Sequence, residues 1–367
     1  MIRYSNPSLK LENARQNSGK VAWRSPSNIA LVKYWGKYGL QLPRNPSVSL
    51  TLSASYTETT LAFLPRQQAS KARFDKKISL EFYFEDQPAP AFEAKIEKFL
   101  ESLLPIFPFL ADLHLEIFSH NSFPHSAGIA SSASSMAALA LCLCSMEEVL
   151  FGTTLTQDDF YQKASFLARL GSGSAARSIH GRAVIWGKTS KQWETSEEWG
   201  VPFEALHPIF EDYQDTILLI HEGEKSVSSR AGHALMNQNP FSAIRYEQAH
   251  KHAVLMLEAL QSGDLEKFID ITEKEAFVLH ALMMVSEPSF VLMKPNTLRA
   301  IEAIQFFRQQ TQIPICFTLD AGPNVHILYP KSYQERVLPF IKSELAPLAH
   351  HSKYILDQVS EGSIALD

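Results

Sequence analysis

A run of small residues that leads directly into a long apolar segment places the strongest constraint on the fold of this chain. The run spans residues 121–143 and reads NSFPHSAGIASSASSMAALALCL. Backbone N–H groups of such small residues can close on the oxygens of an anion, and the helix that follows directs its positive end at the same charge. The junction therefore predicts a loop that binds a nucleotide polyphosphate, followed by a buried helix.

Neither of the common nucleotide-binding loops matches this run. It lacks the lysine that closes G-x-x-x-x-G-K-[ST], and it does not have the spacing of G-x-G-x-x-G. A different nucleotide-binding fold is therefore indicated. Small residues before a helix also permit close packing without any ligand, so this interpretation depends on the other motifs of the chain.

Length and charge narrow the class of protein further. With 367 residues, of which 45% are hydrophobic, the chain can bury an ample core and by size should form about two domains. A net charge of −5 argues against nucleic acid or an anionic membrane surface as the main partner. Residues 1–20 lack the apolar core of a signal peptide, and the most apolar run, 136–146, is too short to span a bilayer. We therefore expect a cytoplasmic protein.

The order of the patterned segments predicts an α+β fold with early strands and later helices. A polar, mobile extension is expected at 1–20, a first domain at 21–195 and a second domain at 205–367. Polar, aperiodic residues at 188–208 mark the connection between the domains. Alternating or apolar runs predict strands at 47–64, 78–84, 113–118, 182–186, 216–221, 315–319, 326–329 and 353–359. Apolar residues at helical spacing predict helices at 92–104, from about 132, 157–170, 244–261, 265–284, 297–310 and 334–345.

Two charged residues, Lys33 and Asp320, stand in or directly after apolar segments. If residues 30–34 are extended, Lys33 can reach a site while its neighbours pack. Asp320 follows an apolar strand and precedes Ala-Gly-Pro-Asn. A carboxylate at a strand end beside a tight turn is frequently catalytic, although an aspartate that only caps the turn has the same pattern.

Two segments rich in serine and arginine predict anion-binding groups. In ARLGSGSAARSIHG, Ser172 and Ser174 flank a glycine, and Arg177 follows Ser174 by about one helical turn. Such an arginine can hold a carboxylate or phosphate through two hydrogen bonds while the hydroxyls orient other oxygens. The segment KSVSSRAG offers a similar set with Ser229 and Arg230. A serine-capped helix with an exposed arginine would show the same local pattern in either place.

The combination of these groups is more informative than any one of them. An acid, a lysine, anion-binding hydroxyls and a phosphate loop are the parts required to transfer a phosphoryl group to a substrate hydroxyl. With these parts in place, the sequence resembles the diphosphomevalonate decarboxylases, members of the GHMP small-molecule kinase superfamily. The resemblance covers most of the chain from Val21, and in chain order it is carried by PSNIALVKYWGK, LPRNPSVSLTLS, NSFPHSAGIASSAS, RLGSGSAARS, VSSRAG and LDAGPN.

This resemblance implies both a fold and a reaction. The fold is the two-domain GHMP-kinase fold, with an N-terminal domain of ribosomal-protein-S5-like type, a C-terminal ferredoxin-like α/β sandwich and the active site in the cleft between them. The reaction is the ATP- and Mg²⁺-dependent conversion of (R)-5-diphosphomevalonate to isopentenyl diphosphate, CO₂, ADP and phosphate, through phosphorylation of the 3-hydroxyl. Members of the family are also expected to form homodimers.

Roles for single residues follow from the same resemblance. The catalytic residues that it implies are Asp320, Lys33, Arg177 and Ser132. The substrate-binding residues are Asn28, Tyr34, Lys37, Lys95, Ser172, Ser174, Ser229 and Arg230. The ATP-binding residues are Pro124, Ala127, Gly128, Ala130, Ser131 and Ser132. The resemblance does not identify the Mg²⁺ ligands, and Arg182 stands where many members have glycine, which is expected to alter packing or add a charge near the site.

Three alternative functions stay open. A related kinase would phosphorylate a mevalonate derivative and stop. Such kinases lack parts of the set Asp320, Lys33 and Arg177, whereas this chain has all three residues. A phosphomevalonate decarboxylase would differ in how it holds the substrate phosphates, and Lys37, Ser229 and Arg230 favour the diphosphate. A non-catalytic nucleotide or metabolite sensor would be expected to have lost the phosphate loop or the acid, and both are present.

Overall fold

The computed structural model describes residues 3–124, 129, 131–189, 192–223 and 229–366, without the side chains of residues 229 and 230. The strands within these residues are β1 (Gly19–Val32), β2 (Lys37–Tyr38), β3 (Leu42–Pro43), β4 (Ser47–Pro65), β5 (Ser79–Phe84), β6 (Gln87–Pro88), β7 (Leu113–Asn121), β8 (Ala183–Trp186), β9 (Val201–Pro202), β10 (Gln214–Leu218), β11 (Cys316–Leu319), β12 (Val325–Tyr329), β13 (Tyr354–Gln358) and β14 (Ile364–Leu366). The helices are α1 (Pro90–Ser102), α2 (Ser131–Phe151), α3 (Gln157–Gly171), α4 (Ser229–Leu235), α5 (Ser242–Ser262), α6 (Leu265–Met284), α7 (Pro295–Thr311) and α8 (Gln334–Phe340).

The first half of the chain is built on a mixed sheet with the strand order β14-β1-β4-β7-β5-β6, and β8 with β9 continues it from β4. The long strands β1 and β4 run antiparallel from the Gly19↔Phe63 pair to the Val32↔Val48 pair. Burial alternates along the second part of β4, because successive side chains of a strand point to opposite faces. The apolar side chains of that sheet share one core with α1, α2 and α3.

Helix α2 is the central helix of this core. It is long and apolar enough to cross a membrane by length and composition, but it is mostly buried inside the fold, as the core helices of globular domains are. It begins at Ser131, one residue before the predicted start at about 132, and ends at Phe151. Cys142 and Cys144 on this helix are free thiols, and burial raises the pKa of both.

The second half contains a separate antiparallel sheet with the strand order β11-β12-β10-β13. Apolar residues of these strands form a core with α7, α8 and the π-helical turn Ile341–Leu345. Helix α6 packs along β11, and α5 and α6 also contact the end of β1 in the first half. This last contact positions the catalytic candidates of the two halves against each other.

The two ends of the chain differ from the predicted division into domains. Residues 3–18 are not a detached extension, since Leu9 is buried and the ring of Tyr4 packs edge-on against Phe166 at 5.3 Å. At the other end, β14 pairs antiparallel with β1. The last strand therefore belongs to the first sheet, where it covers the edge that β1 would otherwise leave unpaired.

Candidate active site

A cleft with a volume of about 1070 Å³ lies between the two halves of the molecule. The first half contributes the end of β1, α1, the start of α2 and the segment after α3, and the second half contributes α4, α6 and the turn after β11. Eleven predicted site residues line it, namely Asn28, Lys33, Tyr34, Lys37, Lys95, Ser131, Ser132, Ser172, Ser174, Arg177 and Asp320. The fold thus brings together groups that are up to 292 positions apart, from Asn28 to Asp320.

Lys33 and Asp320 form an ion pair across this cleft. Lys33 Nζ lies 3.4 Å from Asp320 Oδ1 and 2.6 Å from the carbonyl oxygen of Ala30. The lysine side chain is only 2% exposed and the aspartate side chain 24%. Burial lowers the pKa of Lys33, and the nearby Asp320 carboxylate opposes this change by favouring the charged ammonium. The pair therefore presents a partly exposed carboxylate with a buried cation directly behind it.

Arg177 is the second buried cation of the cleft. Its Nε donates to Ser49 Oγ at 3.1 Å and its Nη2 to Asn28 Oδ1 at 3.4 Å, while Nη1 is buried and has no hydrogen-bond partner among the described residues. Burial lowers the pKa of Arg177 to about 10, with Asp320 and Tyr34 opposing, so the guanidinium stays protonated at neutral pH. An unpartnered buried donor on a cation is costly unless a ligand satisfies it.

Three serine hydroxyls connect the start of α2 to the Arg177 segment. Ser132 Oγ lies 3.4 Å from Ser172 Oγ, which in turn lies 3.4 Å from Ser174 Oγ. Gly173 stands between the last two of these serines. Its lack of a side chain lets the segment approach Tyr34, since an added Cβ would come within 2.8 Å of the Tyr34 hydroxyl. The row of hydroxyls therefore links the predicted phosphate loop to the predicted carboxylate site.

Aromatic rings close one side of the cleft. The ring of His233 on α4 lies between Tyr34 and Trp35, with centroid distances of 4.2 Å and 4.7 Å, and its Nδ1 accepts the N–H of Gly36 at 3.0 Å. Gly36 has a φ of +96°, which favours glycine at this turn. Burial lowers the pKa of His233 to about 3, so the imidazole is neutral. The hydroxyl of Tyr34 is buried without a described partner, and burial raises its pKa.

The charges that line the cleft are mostly positive. The cationic lining residues are Lys33, Lys37, Lys95, Lys98 and Arg177, against the single carboxylate of Asp320 among the described lining residues. Lys37 Nζ donates to Gln41 Oε1 at 2.8 Å, and Lys95 lies on α1 with its ammonium over the ring of Phe92. The chain as a whole is acidic, so an excess of cations in the lining of this cleft fits a ligand with several negative charges.

Some predicted residues do not line the described cleft. Ala127, Gly128 and Ala130 of the phosphate loop lie outside the described residues, as do the side chains of Ser229 and Arg230. Pro124 is exposed at the end of the segment after β7 and is not among the lining residues.

Arg182 is also not among the described residues that line the cleft. It pairs with Glu211 at 3.0 Å and with Glu361 at 3.2 Å, at the junction of β8 with the C-terminal segment. Both carboxylates hold the guanidinium at the surface, so it adds no charge to the described cleft lining, and altered packing is the expected effect that stays a prediction. Its φ of +57° accounts for the glycine expected at this position.

Sequence reasoning missed two histidines that belong to the site. His233 packs between the cleft aromatics, and His280 on α6 lies with Nε2 3.1 Å from the main-chain oxygen of Asp320. Burial lowers the pKa of His280 to about 4, so it is neutral as well. Neither has a local sequence signal, since each contacts a residue at least 40 positions away.

The chain matches known proteins over most of its length. Residues 25–197 match the family described as the diphosphomevalonate decarboxylase-like N-terminal domain, and residues 216–365 match the mevalonate 5-diphosphate decarboxylase C-terminal domain. The diphosphomevalonate decarboxylase of Candida albicans is 30% identical over 336 residues, which is 86% of each protein.

Solved structures give the same result. The crystal structure of mevalonate diphosphate decarboxylase from Staphylococcus aureus has a TM-score of 0.79 and 29% identity, over 96% of this chain and 98% of that one. The structure of MDDEF in complex with MVAPP, AMPPCP and magnesium has a TM-score of 0.78 and 29% identity, over 95% of this chain and 99% of that one. These likenesses confirm the two-domain α/β fold and the family resemblance predicted from the sequence.

Proposed function

The chain belongs to the diphosphomevalonate decarboxylases, and we propose that it converts (R)-5-diphosphomevalonate and ATP to isopentenyl diphosphate, CO₂, ADP and phosphate. The observation that carries this proposal is the placement of Lys33, Asp320 and Arg177 in one cationic cleft, with no hydrogen-bond partner for Arg177 Nη1 among the described residues. In this proposal the enzyme is cytoplasmic, and domains at 21–195 and 205–367, tied together by β14, form the two walls of the cleft.

The substrate carboxylate and diphosphate would bind at separate positions in the cleft. Arg177 would take the carboxylate through its unpartnered Nη1, with the hydroxyls of Ser172 and Ser174 as further donors. Lys37 and Lys95, which both line the cleft, would hold the diphosphate. This arrangement leaves the 3-hydroxyl facing Asp320.

Asn28, Tyr34, Ser229 and Arg230 complete the proposed substrate site. Asn28 accepts from Arg177 and donates to Ser178 Oγ at 2.8 Å, so it fixes the guanidinium as well as lining the cleft. Tyr34 offers a buried hydroxyl with no described partner. Ser229 and Arg230 begin α4, and the family resemblance is what supports their role.

ATP would bind at the start of α2, where the residues Pro124, Ala127, Gly128, Ala130, Ser131 and Ser132 form the proposed loop. The described part fits this ligand, since Ser131 and Ser132 line the cleft at the first turn of a long helix. Mg²⁺ takes oxygen ligands and keeps several waters, so ATP phosphates and water would hold it, with Ser132 at the start of α2 as a side-chain oxygen beside them. When bound, it neutralises charge on the transferring phosphoryl group.

The residues of the cleft account for the order of events. Asp320 accepts the proton of the tertiary hydroxyl as its oxygen attacks the γ-phosphorus of ATP, and ADP leaves. Asp320 then passes this proton to solvent and is ionised again. Phosphate is a far better leaving group than hydroxide, and as the C–O bond breaks the Lys33 ammonium stabilises the departing phosphate while the Asp320 carboxylate stabilises the positive charge at the tertiary carbon. Arg177 holds the carboxylate so that the C–C bond aligns with the breaking C–O bond, whose electron pair leaves with phosphate. The electrons of the C–C bond then form the double bond of isopentenyl diphosphate and CO₂ departs.

A comparison of substrates tests this function. We expect kcat/KM for diphosphomevalonate to exceed that for phosphomevalonate by about 10- to 100-fold, because the second phosphate gains charge-assisted hydrogen bonds worth about 1.5–3 kcal/mol. Lys95→Ala should narrow this preference, whereas Lys71→Ala, which removes a lysine paired with Glu81 away from the cleft, should not. A higher kcat/KM for the monophosphate would make the chain a phosphomevalonate decarboxylase instead.

We also propose that the protein is a homodimer, as the family resemblance implies. The neighbouring helices α6 and α7, joined by the Glu273–Arg308 ion pair, expose the apolar side chains Phe277, Met284, Leu298 and Phe306. Light scattering on the protein as it elutes from a size-exclusion column should give twice the chain mass of 41.2 kDa. The substitution Phe306→Glu should shift the measured mass toward that of the monomer. A wild-type monomer at micromolar concentration would contradict the proposal.

A further inference from the structure

The backbone of Lys33 is held by side chains from the second half of the molecule. Strand β1 ends at Val32, so the next peptide groups leave the sheet ladder. The N–H of Lys33 donates to Glu275 Oε2 at 2.8 Å, and its carbonyl oxygen accepts from Arg245 Nη2 at 3.0 Å and from Asn45 Nδ2 at 3.0 Å. Buried backbone groups require partners, and here a carboxylate and a guanidinium provide them.

Glu275 lies at the centre of a fully buried charged network. Its side chain is 0% exposed and that of Arg245 is 1% exposed, and the two form hydrogen bonds of 2.7 Å and 2.6 Å. His252 Nδ1 lies 2.6 Å from Glu275 Oε1. Burial raises the pKa of Glu275, but Arg245, His252 and the N–H of Lys33 together lower it to about 2. The carboxylate is therefore ionised throughout the physiological range.

The helix that carries Glu275 also holds Asp320. His280, five residues later on α6, contacts the main-chain oxygen of Asp320 at 3.1 Å. Five residues of a helix span about 7.5 Å along its axis. One rigid helix thus contacts the backbone of both members of the Lys33–Asp320 pair, which come from different halves of the chain.

We propose that Glu275, supported by Arg245 and His252, is a positioning residue that sets Lys33 Nζ against the Asp320 carboxylate. This inference rests on the proposed roles of Lys33 and Asp320 in the reaction. A buried ion pair adds little net stability compared with well-packed apolar side chains, so stability alone does not account for a charged group at this place. Displacement of a reacting group by about 1 Å can slow a reaction about 10²-fold, which gives this network a functional consequence.

The chain offers a matched control on the same helix. Glu273 is also nearly buried, at 10% exposed, and it forms two hydrogen bonds with Arg308 at 2.5 Å and 3.0 Å. None of the hydrogen bonds described for its carboxylate goes to Lys33 or Asp320. Both glutamates lie on α6, and replacement of either by glutamine removes the carboxylate of one glutamate–arginine ion pair. A purely structural effect should therefore be similar for the two variants.

The decisive variants are Glu275→Gln and Glu273→Gln, assayed at a temperature below the melting transition of both. We expect kcat of Glu275→Gln to fall about tenfold or more while KM for each substrate changes less than about threefold, since neither glutamate is among the described residues that line the cleft. The kcat of Glu273→Gln should stay within about twofold of wild type. Equal kcat losses in the two variants, or unchanged kcat in Glu275→Gln, would overturn the proposal.

The pH profile supplies a second readout that a structural role would not change. Burial lowers the pKa of Lys33, and so does the nearby charge of Arg177. The carboxylates of Asp320 and Glu275 raise it. Loss of the Glu275 charge, together with a longer Lys33–Asp320 distance, removes two effects that raise this pKa. The alkaline limb of kcat should therefore move to lower pH in Glu275→Gln and stay in place in Glu273→Gln.

A third variant keeps the proposal testable if Glu275→Gln does not fold. His252→Gln changes a side chain that is 13% exposed and disturbs one of the contacts to Glu275. It should lower kcat to a smaller extent with KM unchanged, and a wild-type kcat in this variant would count against the positioning role. If the wild-type protein releases no CO₂ from diphosphomevalonate and ATP, the proposed function itself fails; if it does so and only the Glu275 network is without effect, the function stands and this inference fails.

Discussion

Replacement of Asp320 by asparagine is expected to lower kcat about 10³-fold or more, with little change in KM for ATP. Asparagine has nearly the same shape, so the turn after β11 and the contact between His280 and the main-chain oxygen should persist. The carboxylate that accepts the hydroxyl proton is lost, and general acid–base groups of this kind contribute about 10²- to 10⁴-fold. The anion facing the Lys33 ammonium at 3.4 Å is lost as well.

Asp212→Asn is the control for this experiment. Asp212 Oδ2 lies 3.3 Å from Lys331 Nζ, so it is also an aspartate paired with a lysine, but it is half exposed and outside the cleft. Its kcat should equal that of wild type. Thermal melts of both variants separate a loss of folding from a loss of chemistry, and an Asp320→Asn enzyme with more than about a tenth of wild-type kcat would refute the assigned role.

Replacement of Arg177 by lysine is expected to lower kcat/KM for diphosphomevalonate about 10²-fold or more. Lysine keeps the charge but lacks the planar set of donors that bonds Ser49 and Asn28 and still offers Nη1 to a ligand. The substrate carboxylate would then be held without a fixed orientation, so C–C cleavage would be slowed at least as much as phosphoryl transfer. We expect CO₂ release to lag behind ADP release in this variant.

Arg169→Lys provides a comparison with similar burial. Arg169 is 3% exposed, and burial lowers its pKa to about 10, as it does for Arg177. Its guanidinium donates to the main-chain oxygens of Glu198 and Leu40 instead of lining the cleft. This variant should lose stability but keep matched ADP and CO₂ release, and an Arg177→Lys enzyme that behaves in the same way would argue against carboxylate binding by Arg177.

Much of the fold could be predicted from local periodicity. The helix predicted at 265–284 is observed as Leu265–Met284, and the strand predicted at 47–64 is observed as Ser47–Pro65. Both are long segments whose apolar spacing is unambiguous. Strand β1, by contrast, is missing from the predicted strands, because its buried serines and its proline at position 26 hide the alternation. An extended conformation was considered only for residues 30–34.

The parts that escaped prediction depend on contacts between distant segments. β14 is only three residues long and is stabilised by pairing with β1. The polar appearance of the N-terminus concealed Leu9 and Tyr4, which pack on the first core. The contact between Glu275 and the backbone of Lys33 joins residues 242 positions apart. Local pattern gives no information about such pairs, since only the assembled fold brings them together.

The site itself could be predicted as a set of groups but not as a geometry. Short motifs identified Lys33, Arg177 and Asp320, and the structure places all three in one cleft. The sequence could not indicate that Arg177 is nearly fully buried with one unpartnered donor, or that α6 contacts both Lys33 and Asp320. Those features are what relate the motifs to a mechanism.

The most direct test of this account is a simultaneous measurement of ADP and CO₂ from purified protein with ATP, Mg²⁺ and (R)-5-diphosphomevalonate. The mechanism couples each phosphoryl transfer to the loss of one carboxylate, so it predicts one CO₂ for each ADP from the first turnover onward. Formation of ADP without CO₂ would mean a kinase that stops at the phosphorylated product. Tight binding of ATP without formation of ADP would contradict a catalytic role for the cleft.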